Sequence, residues 1–183
     1  MQDIPEKTII RAAEGDLEAF EEIYRLSSSY VYTLAYRVTR NAEDAQEVTQ
    51  DVFLSVHRNL RRFQFRSSFK TWIYRITANM AINTYRKRAK HRERHVEFDE
   101  TTGTDHPAER PGAVEKNDNE ALVRSMLEGL PPEQRACLVL KEIEGLKYHE
   151  IAKVLNININ TVRSRLKRAR EKLIARHRKR GQS

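Results

Sequence analysis

The chain has 183 residues, enough for one domain or two small ones; 33% of them are charged, and the formal net charge of +8 with a pI near 9.7 suits a polyanionic partner. A single cysteine, Cys137, excludes an internal disulfide framework, and its apolar setting beside Ala136, Leu138, Val139 and Leu140 predicts a buried structural thiol. No apolar run approaches the ~20 residues that span a bilayer, and acids stand at the N-terminus where a signal peptide would be basic and then apolar, so a reducing cytoplasm and no membrane insertion are expected.

The N-terminal half reads as helical throughout, without strand-like alternation or internal repeat. Leu17, Phe20, Ile23 and Tyr24 begin an apolar face that continues past Ser27-Ser28-Ser29 with Val31, Leu34, Ala35 and Val38. Asn41 then caps a helix with Asp44 at its N3 position, and Ala45, Val48, Val52 and Val56 turn one side inward. Asp44, Glu47 and Asp51, spaced i, i+3 and i+7, put three carboxylates on one stripe of that helix. Such a stripe is a solvated face, a docking surface for a basic partner, or a metal site. With no glycine-rich loop or histidine beside it, the metal reading is the weakest, and neither a metal nor a cofactor is expected.

No acidic residue lies between Asp51 and Glu93, whereas Arg58, Arg61, Arg62, Arg66, Lys70, Arg75, Arg86, Lys87, Arg88, Lys90 and Arg92 do. The loop Gln64-Phe65-Arg66-Ser67-Ser68 supplies a serine cap for the next helix, in which Phe69, Trp72, Ile73, Ile76 and Met80 form the expected core stripe. That register buries Trp72 and leaves Lys70, Tyr74, Thr77, Asn79, Asn83 and Arg86 outside. Cations, an aromatic ring and amides are what a surface needs to hold single-stranded DNA through phosphates, stacking and base edges. His91 and His95 form an i, i+4 pair with zinc-ligand spacing, but the charges around them favour a solvated helix end.

From Glu93 to Glu120 the sign reverses, with Glu97, Asp99, Glu100, Asp105, Glu109, Glu115 and Asp118 set among Gly103, Pro107, Pro111 and Gly112. Low hydrophobicity and turn residues predict a flexible acidic linker. The expected map is a domain over 1–92, a linker over 93–117 and a second domain over 118–183.

The C-terminal part reads as a helix-turn-helix. Ile151, Ala152 and Leu155 have helical spacing, Asn156-Ile157-Asn158 breaks the pattern, and a second helix starts near Ile159 with Asn158 as its cap. Val162, Leu166, Ala169 and Leu173 give it one narrow apolar stripe, and Arg163, Arg165, Lys167, Arg168, Arg170 and Lys172 fill the other sides. Its first turns carry Thr161, Arg163, Ser164, Lys167 and Arg168, residues suited to guanine acceptors and phosphates in a major groove. The tail Arg176-His177-Arg178-Lys179-Arg180 reads as a frayed basic end adding sequence-independent attraction to phosphates.

Two stretches together make this pattern specific. "DAQEVTQDVFLSVHRNLRRFQFRSSFKTWIYRITANMAINTYRKR", from Asp44 to Arg88, closely resembles region 2 of the extracytoplasmic-function sigma factors of bacterial RNA polymerase, and "LPPEQRACLVLKEIEGLKYHEIAKVLNININTVRSRLKRAREKL", from Leu130 to Leu173, resembles their region 4. The resemblance implies an all-α protein of two small helical domains, an alternative sigma factor that binds core polymerase, recognises a promoter and helps to melt it. By position, Asp44, Glu47, Gln50 and Asp51 match the segment that docks on the clamp helices of the beta-prime subunit. The Arg66-Ser67-Ser68 loop and the helix bearing Lys70, Tyr74, Asn79, Asn83 and Arg86 match the part that captures and melts the minus-ten element. Thr161, Arg163, Ser164, Lys167, Arg168 and Arg170 match the reader of the minus-thirty-five element.

The same resemblance implies the beta-subunit flap and an anti-sigma factor as further partners; the latter could hold the protein at the inner membrane face under stress control. There are two departures from the pattern: Asn160 stands where the family usually has glycine, and Lys147 where a serine or threonine often caps the preceding helix. No catalytic residue is expected. Two other readings compete: a two-component helix-turn-helix regulator, which needs a receiver domain with a parallel sheet, and a DNA-cleaving enzyme using Asp44, Glu47 and Asp51 for Mg²⁺.

Overall fold

The computed structural model describes residues 3–96, Val123 and residues 125–180, and its described side chains exclude those of 93–96, 177, 179 and 180. Every regular element among these residues is helical, and the chain divides into two compact units, Met1–Lys87 and Arg88–Ser183. Apart from the end of α4 (Phe69–Val96), the segment expected to be a linker lies outside the described residues.

The first unit contains α1 (Glu6–Ala13), α2 (Leu17–Thr39), α3 (Ala42–Asn59), a 3-10 turn at Leu60–Arg62 and most of α4. Local chemistry sets the corners. Gly15 supplies a φ of +104° after α1, and the Asp16 carboxylate accepts from Ala19 N at 3.1 Å to cap α2. That backbone hydrogen bond, followed by the one from Arg11 Nε at 2.8 Å, holds the Asp16 carboxyl below its ordinary range. At the other end of α2, Arg40 adopts the left-handed conformation, and Asn41 Oδ1 accepts from Asp44 N at 2.8 Å, the cap expected from sequence.

Ile23, Val31, Leu34, Ala35 and Val38 of α2 are buried, as are Ala45, Val48, Val52 and Val56 of the α3 packed against it. Leu17 and Tyr24, expected in this core, are instead 74% and 47% exposed. Leu17 is the first residue of α2, directly after the Asp16 cap. The Tyr24 ring lies edge-on to Phe53, whose own ring fills the buried position.

The α4 register departs from the apolar spacing. Phe69 and Ile73 are buried as expected, but so are Tyr74, Thr77, Ala78, Ala81 and Ile82, while Trp72, Ile76 and Met80 are half-buried. The inward face is thus turned by roughly 100°, about one residue of helical rotation. Two features favour this face: small alanines permit close helix approach, and the Thr77 hydroxyl donates to Ile73 O at 2.9 Å and needs no water. Tyr74 packs its ring 5.2 Å from that of Tyr30 on α2.

The second unit holds α5 (Pro132–Leu138), a π-helical turn at Val139–Ile143, α6 (Tyr148–Leu155) and α7 (Ile159–Arg180). Ala136, Cys137, Val139, Leu140, Ile151, Val154, Val162, Leu166 and Ala169 close its core, with α5 and α6 both packed on α7. Gly145, at φ +70°, permits the turn into α6. Lys147 begins α6 without a side-chain acceptor, since an ammonium has no lone pair, and the Glu150 carboxylate compensates by accepting from Lys147 N at 2.6 Å. In the basic tail α7 continues to Arg180, and the Arg176 guanidinium lies against Gly129 and donates to Glu128 O.

Candidate nucleic-acid interface

On α3, Glu47, Gln50 and Asp51 are exposed, but Asp44 is only 6% exposed and leaves the acidic stripe. It sits in the tight α2–α3 corner, its amide tied to Asn41, one turn before the buried Val48. The carboxylates expected on one stripe therefore do not converge on a common ligand position. Among the described residues no group of three or more His, Cys, Asp or Glu could hold a metal, and the His95 side chain lies outside them. The exposed stripe gains a member that sequence reasoning missed: Leu54, 53% exposed, follows Glu47 and Asp51 at i+7 and i+3. Its signal was an apolar residue in the polar register of α3.

Around the start of α4, Arg66, Ser67 and Ser68 are exposed. Ser68 caps the helix as expected, its Oγ accepting from Thr71 N at 3.1 Å. The loop turns through Phe65, which has a φ of +53° and is 43% exposed. Phe63 has ring centroids at 4.8 Å from Phe65, 5.6 Å from Phe69 and 5.0 Å from Trp72, a packed aromatic cluster with a partly open rim.

Trp72, placed in the core by its spacing, belongs to this rim. By helical geometry it shares one stripe of α4 with Asn79, Asn83 and Arg86, at i, i+7, i+11 and i+14. Asn79 is half-buried and donates through Nδ2 to Arg75 O at 2.8 Å, while Asn83 and Arg86 are exposed. Tyr74, counted with the exposed residues in the sequence, is 1% exposed and cannot meet a nucleic acid; Thr77 is fully buried with it. Lys70 is half-buried with its ammonium 5.7 Å from the Tyr74 ring centroid, so it marks the edge between core and surface.

On α7, Asn158 Oδ1 accepts from Asn160 N at 2.8 Å, which confirms the cap. Opposite the buried stripe of Val162, Leu166 and Ala169 lie Ser164, Lys167 and Arg168, the last two exposed. Ser164 Oγ donates to Thr161 O at 3.0 Å, Thr161 itself is half-buried on a flank, and Lys167 has Glu171 at 3.9 Å. Arg163 is exposed and donates from Nη1 to Asn160 Oδ1 at 2.8 Å.

Two of the arginines have partners within the second unit. Arg170 Nη2 lies 2.8 Å from Glu142 Oε1 on the π-helical turn, and hydrogen bonds to Glu142 and then Tyr148 raise its pKa. Arg165 is half-buried beside Cys137. Burial pushes the Cys137 thiol up to about 11, with Arg165 opposing it, which fits the structural thiol expected from sequence.

The Sigma-70 region 2 family matches residues 23–91, and the Sigma-70, region 4 family matches residues 120–173. The ECF RNA polymerase sigma factor SigE of Mycolicibacterium smegmatis is 35% identical over 179 residues, covering 93% of this chain and 67% of the relative. RNA polymerase sigma-H factor of Pseudomonas aeruginosa is 33% identical, covering 93% and 92%, and ECF RNA polymerase sigma factor SigW of Bacillus subtilis is 30% identical, covering 94% and 96%. Among solved structures, CnrH in complex with the cytosolic domain of CnrY aligns with a TM-score of 0.65 at 26% identity, covering 94% of this chain and 96% of that one.

Proposed function

The chain belongs to the extracytoplasmic-function sigma factors of the sigma-70 family, which are transcription initiation factors, and we propose that three of its surfaces divide the work of initiation. It binds core RNA polymerase, recognises promoter DNA and assists its melting. Glu47, Gln50, Asp51 and Leu54 dock on the polymerase clamp helices: the carboxylates steer a basic partner, and Leu54 supplies the desolvated contact that surface ion pairs alone do not. The region 4 unit, with its helix-turn-helix, engages the beta-subunit flap as well as the upstream promoter element.

The observation that carries the DNA reading is the outward face of α7, where Lys167 and Arg168 stand exposed directly opposite a fully buried stripe. A helix anchored on one side and cationic on the other can lie in a major groove without disturbing its own core. Arg163, Ser164, Lys167 and Arg168 read or grip the upstream element, and Thr161 contributes from the flank. Arg170 keeps the helix seated through Glu142.

In the first unit, Arg66, Ser67, Ser68 and Lys70 hold phosphates near the start of α4. The Trp72 rim offers a ring to an unstacked base, and Asn79 and Asn83 offer amides to its edges, with Arg86 gripping the next phosphate. Tyr74 supports this surface from beneath and makes no contact itself. The protein makes and breaks no bond of its own. It acts in the cytoplasm, where polymerase and chromosome meet, and an anti-sigma factor restrains it, as the related CnrH has a partner in CnrY. No helix among the described residues is long and apolar enough to cross a membrane.

The two-component alternative is not favoured, since the region 2 match occupies the place of its receiver domain. Transcription from a promoter library with purified core polymerase and this protein tests the reading. Start sites should share two spaced elements, and transcripts no different from those of core polymerase alone would overturn it.

A further inference from the structure

We propose that Asn160 is a specificity-determining residue, its side-chain oxygen holding the Arg163 guanidinium in the orientation that reads one base pair of the upstream element. The inference rests on the reading of α7 as the groove-binding helix. A long arginine side chain at an exposed position samples many rotamers, and it discriminates between bases only when its planar fork is presented edge-on to a guanine. Arg163 is exposed, yet its Nη1 donates to Asn160 Oδ1 at 2.8 Å. Guanidinium has donors only, so Asn160 must present its oxygen, and the amide orientation follows from that chemistry.

The Asn160 backbone is held at the helix cap, because its N–H donates to Asn158 Oδ1 at 2.8 Å, and this sets the point from which its side chain reaches Arg163. A relay therefore runs from the turn of the helix-turn-helix, through Asn158 and Asn160, to the guanidinium. Val162, fully buried and between Asn160 and Arg163 in sequence, anchors the same turn to the core. One of five N–H donors is used, which leaves enough for a two-pronged contact.

The partner's chemistry also matters. Arg170 and Lys167 have carboxylates at 2.8 and 3.9 Å that offset their charge. Asn160 is neutral, so it orients Arg163 without diminishing the positive charge offered to DNA. Removing Asn160 should therefore change which sequence is preferred more than how strongly any DNA is bound.

The test uses holoenzyme assembled from core polymerase and the full chain, with promoter duplexes carrying each base pair at every position of the upstream element selected from the library. Arg163→Ala should flatten the preference at one position by roughly 5- to 100-fold. Asn160→Ala should flatten that same position by about 2- to 10-fold, the cost of immobilising a rotamer-rich side chain, with an unchanged salt slope because no charge is lost. The double variant should lose no more than Arg163→Ala alone. Asn160→Asp, which keeps the acceptor oxygen, should retain the preference while weakening all duplexes alike.

If Arg163→Ala flattens a position and Asn160→Ala leaves it intact, the positioning role is overturned and the reading of α7 stands. If Asn160→Ala acts at a different base pair, Asn160 is a reader itself and the relay is overturned. If neither Arg163→Ala nor Arg168→Ala alters any preference, the groove-binding reading of α7 falls, and the inference with it.

Discussion

Replacing Tyr74 and Trp72 one at a time separates the two faces of α4, since they differ by two positions in sequence and are assigned opposite roles. Tyr74 is 1% exposed, with its ring 5.2 Å from Tyr30. Truncation to alanine removes the transfer energy of a buried ring and leaves a cavity between α2 and α4, a loss of about 3–5 kcal/mol by analogy with other large aromatic deletions. Trp72 is half-buried at the rim of the Phe63 cluster, so part of its surface already meets water, and Trp72→Ala should cost only about 1–2 kcal/mol. For a unit the size of Met1–Lys87, each kcal/mol moves the melting temperature by about 4–8 °C. Tyr74→Ala should therefore fall by 12 °C or more on the same scale. Tyr74→Leu, which keeps the site apolar and partly filled, should lose about 1–3 kcal/mol and remain folded for the comparison. Urea titrations followed by circular dichroism give the energies, and permanganate reactivity of promoter thymines gives the opening. Trp72→Ala should impair opening at temperatures where it stays folded, and Tyr74→Leu should leave opening intact. Equal stability losses for Trp72→Ala and Tyr74→Ala, or loss of opening in Tyr74→Leu at full folding, would refute the assigned register of α4.

Reversing Glu47→Arg together with Asp51→Arg should weaken binding to core polymerase with the helical circular dichroism unchanged, and Leu54→Ala should weaken it further; unchanged affinity in the triple variant removes the docking surface. Asn79→Ala with Asn83→Ala should lower open-complex formation more than closed-complex binding, because side-chain amides at the α4 surface reach the pairing edges only of unpaired bases; equal permanganate patterns would count against the assignment. Cys137 should resist alkylation at pH 8 until the protein is unfolded, since burial raises its thiol from an ordinary 9.0 to about 11. The unfolded thiol ionises first as pH rises, so the raised value makes stability decline between about pH 9 and 11, by on the order of 1–3 kcal/mol, relative to Cys137→Ala, which has no such proton to lose; parallel curves for the two proteins would contradict the burial.

The features legible in the sequence are those fixed by chemistry within one helical turn. Asn41, Ser68 and Asn158 each accept a backbone N–H two or three residues on, and a cap needs nothing from the rest of the fold to be recognised. The apolar stripes of α3 and α7 were legible too, because in both helices the residues at i, i+3, i+4 and i+7 spacing outweigh the few apolar residues off that face, Phe53 and Leu54 on α3 and Ile174 on α7. The α4 helix offers two choices. Counting large apolar residues selects Trp72, Ile76 and Met80, but the packed face joins Phe69, Ile73 and Ile82 to a tyrosine, a threonine and two alanines, which score poorly on hydrophobicity and well on closeness of approach.

The same distinction governs the candidate site. Exposure of Glu47, Asp51, Asn83, Lys167 and Arg168 followed from helical position, and the structure agrees with each. Which cations remain available to a nucleic acid did not follow, because availability is decided by partners that are remote in sequence or by a chosen rotamer. Glu142 reaches Arg170 across 28 positions through the fold of the π-helical turn, and Glu128 reaches Arg176 across 48. A helix wheel counts Arg163, Arg165, Arg168 and Arg170 alike. Folding sorts them into one held by a neutral amide, one half-buried beside a buried thiol, one on the face opposite the buried stripe and one paired with a carboxylate. With α7 as the proposed groove-binding helix, sequence specificity on DNA would depend on that sorting, since a uniformly basic helix would bind every phosphate backbone equally and distinguish no promoter from another.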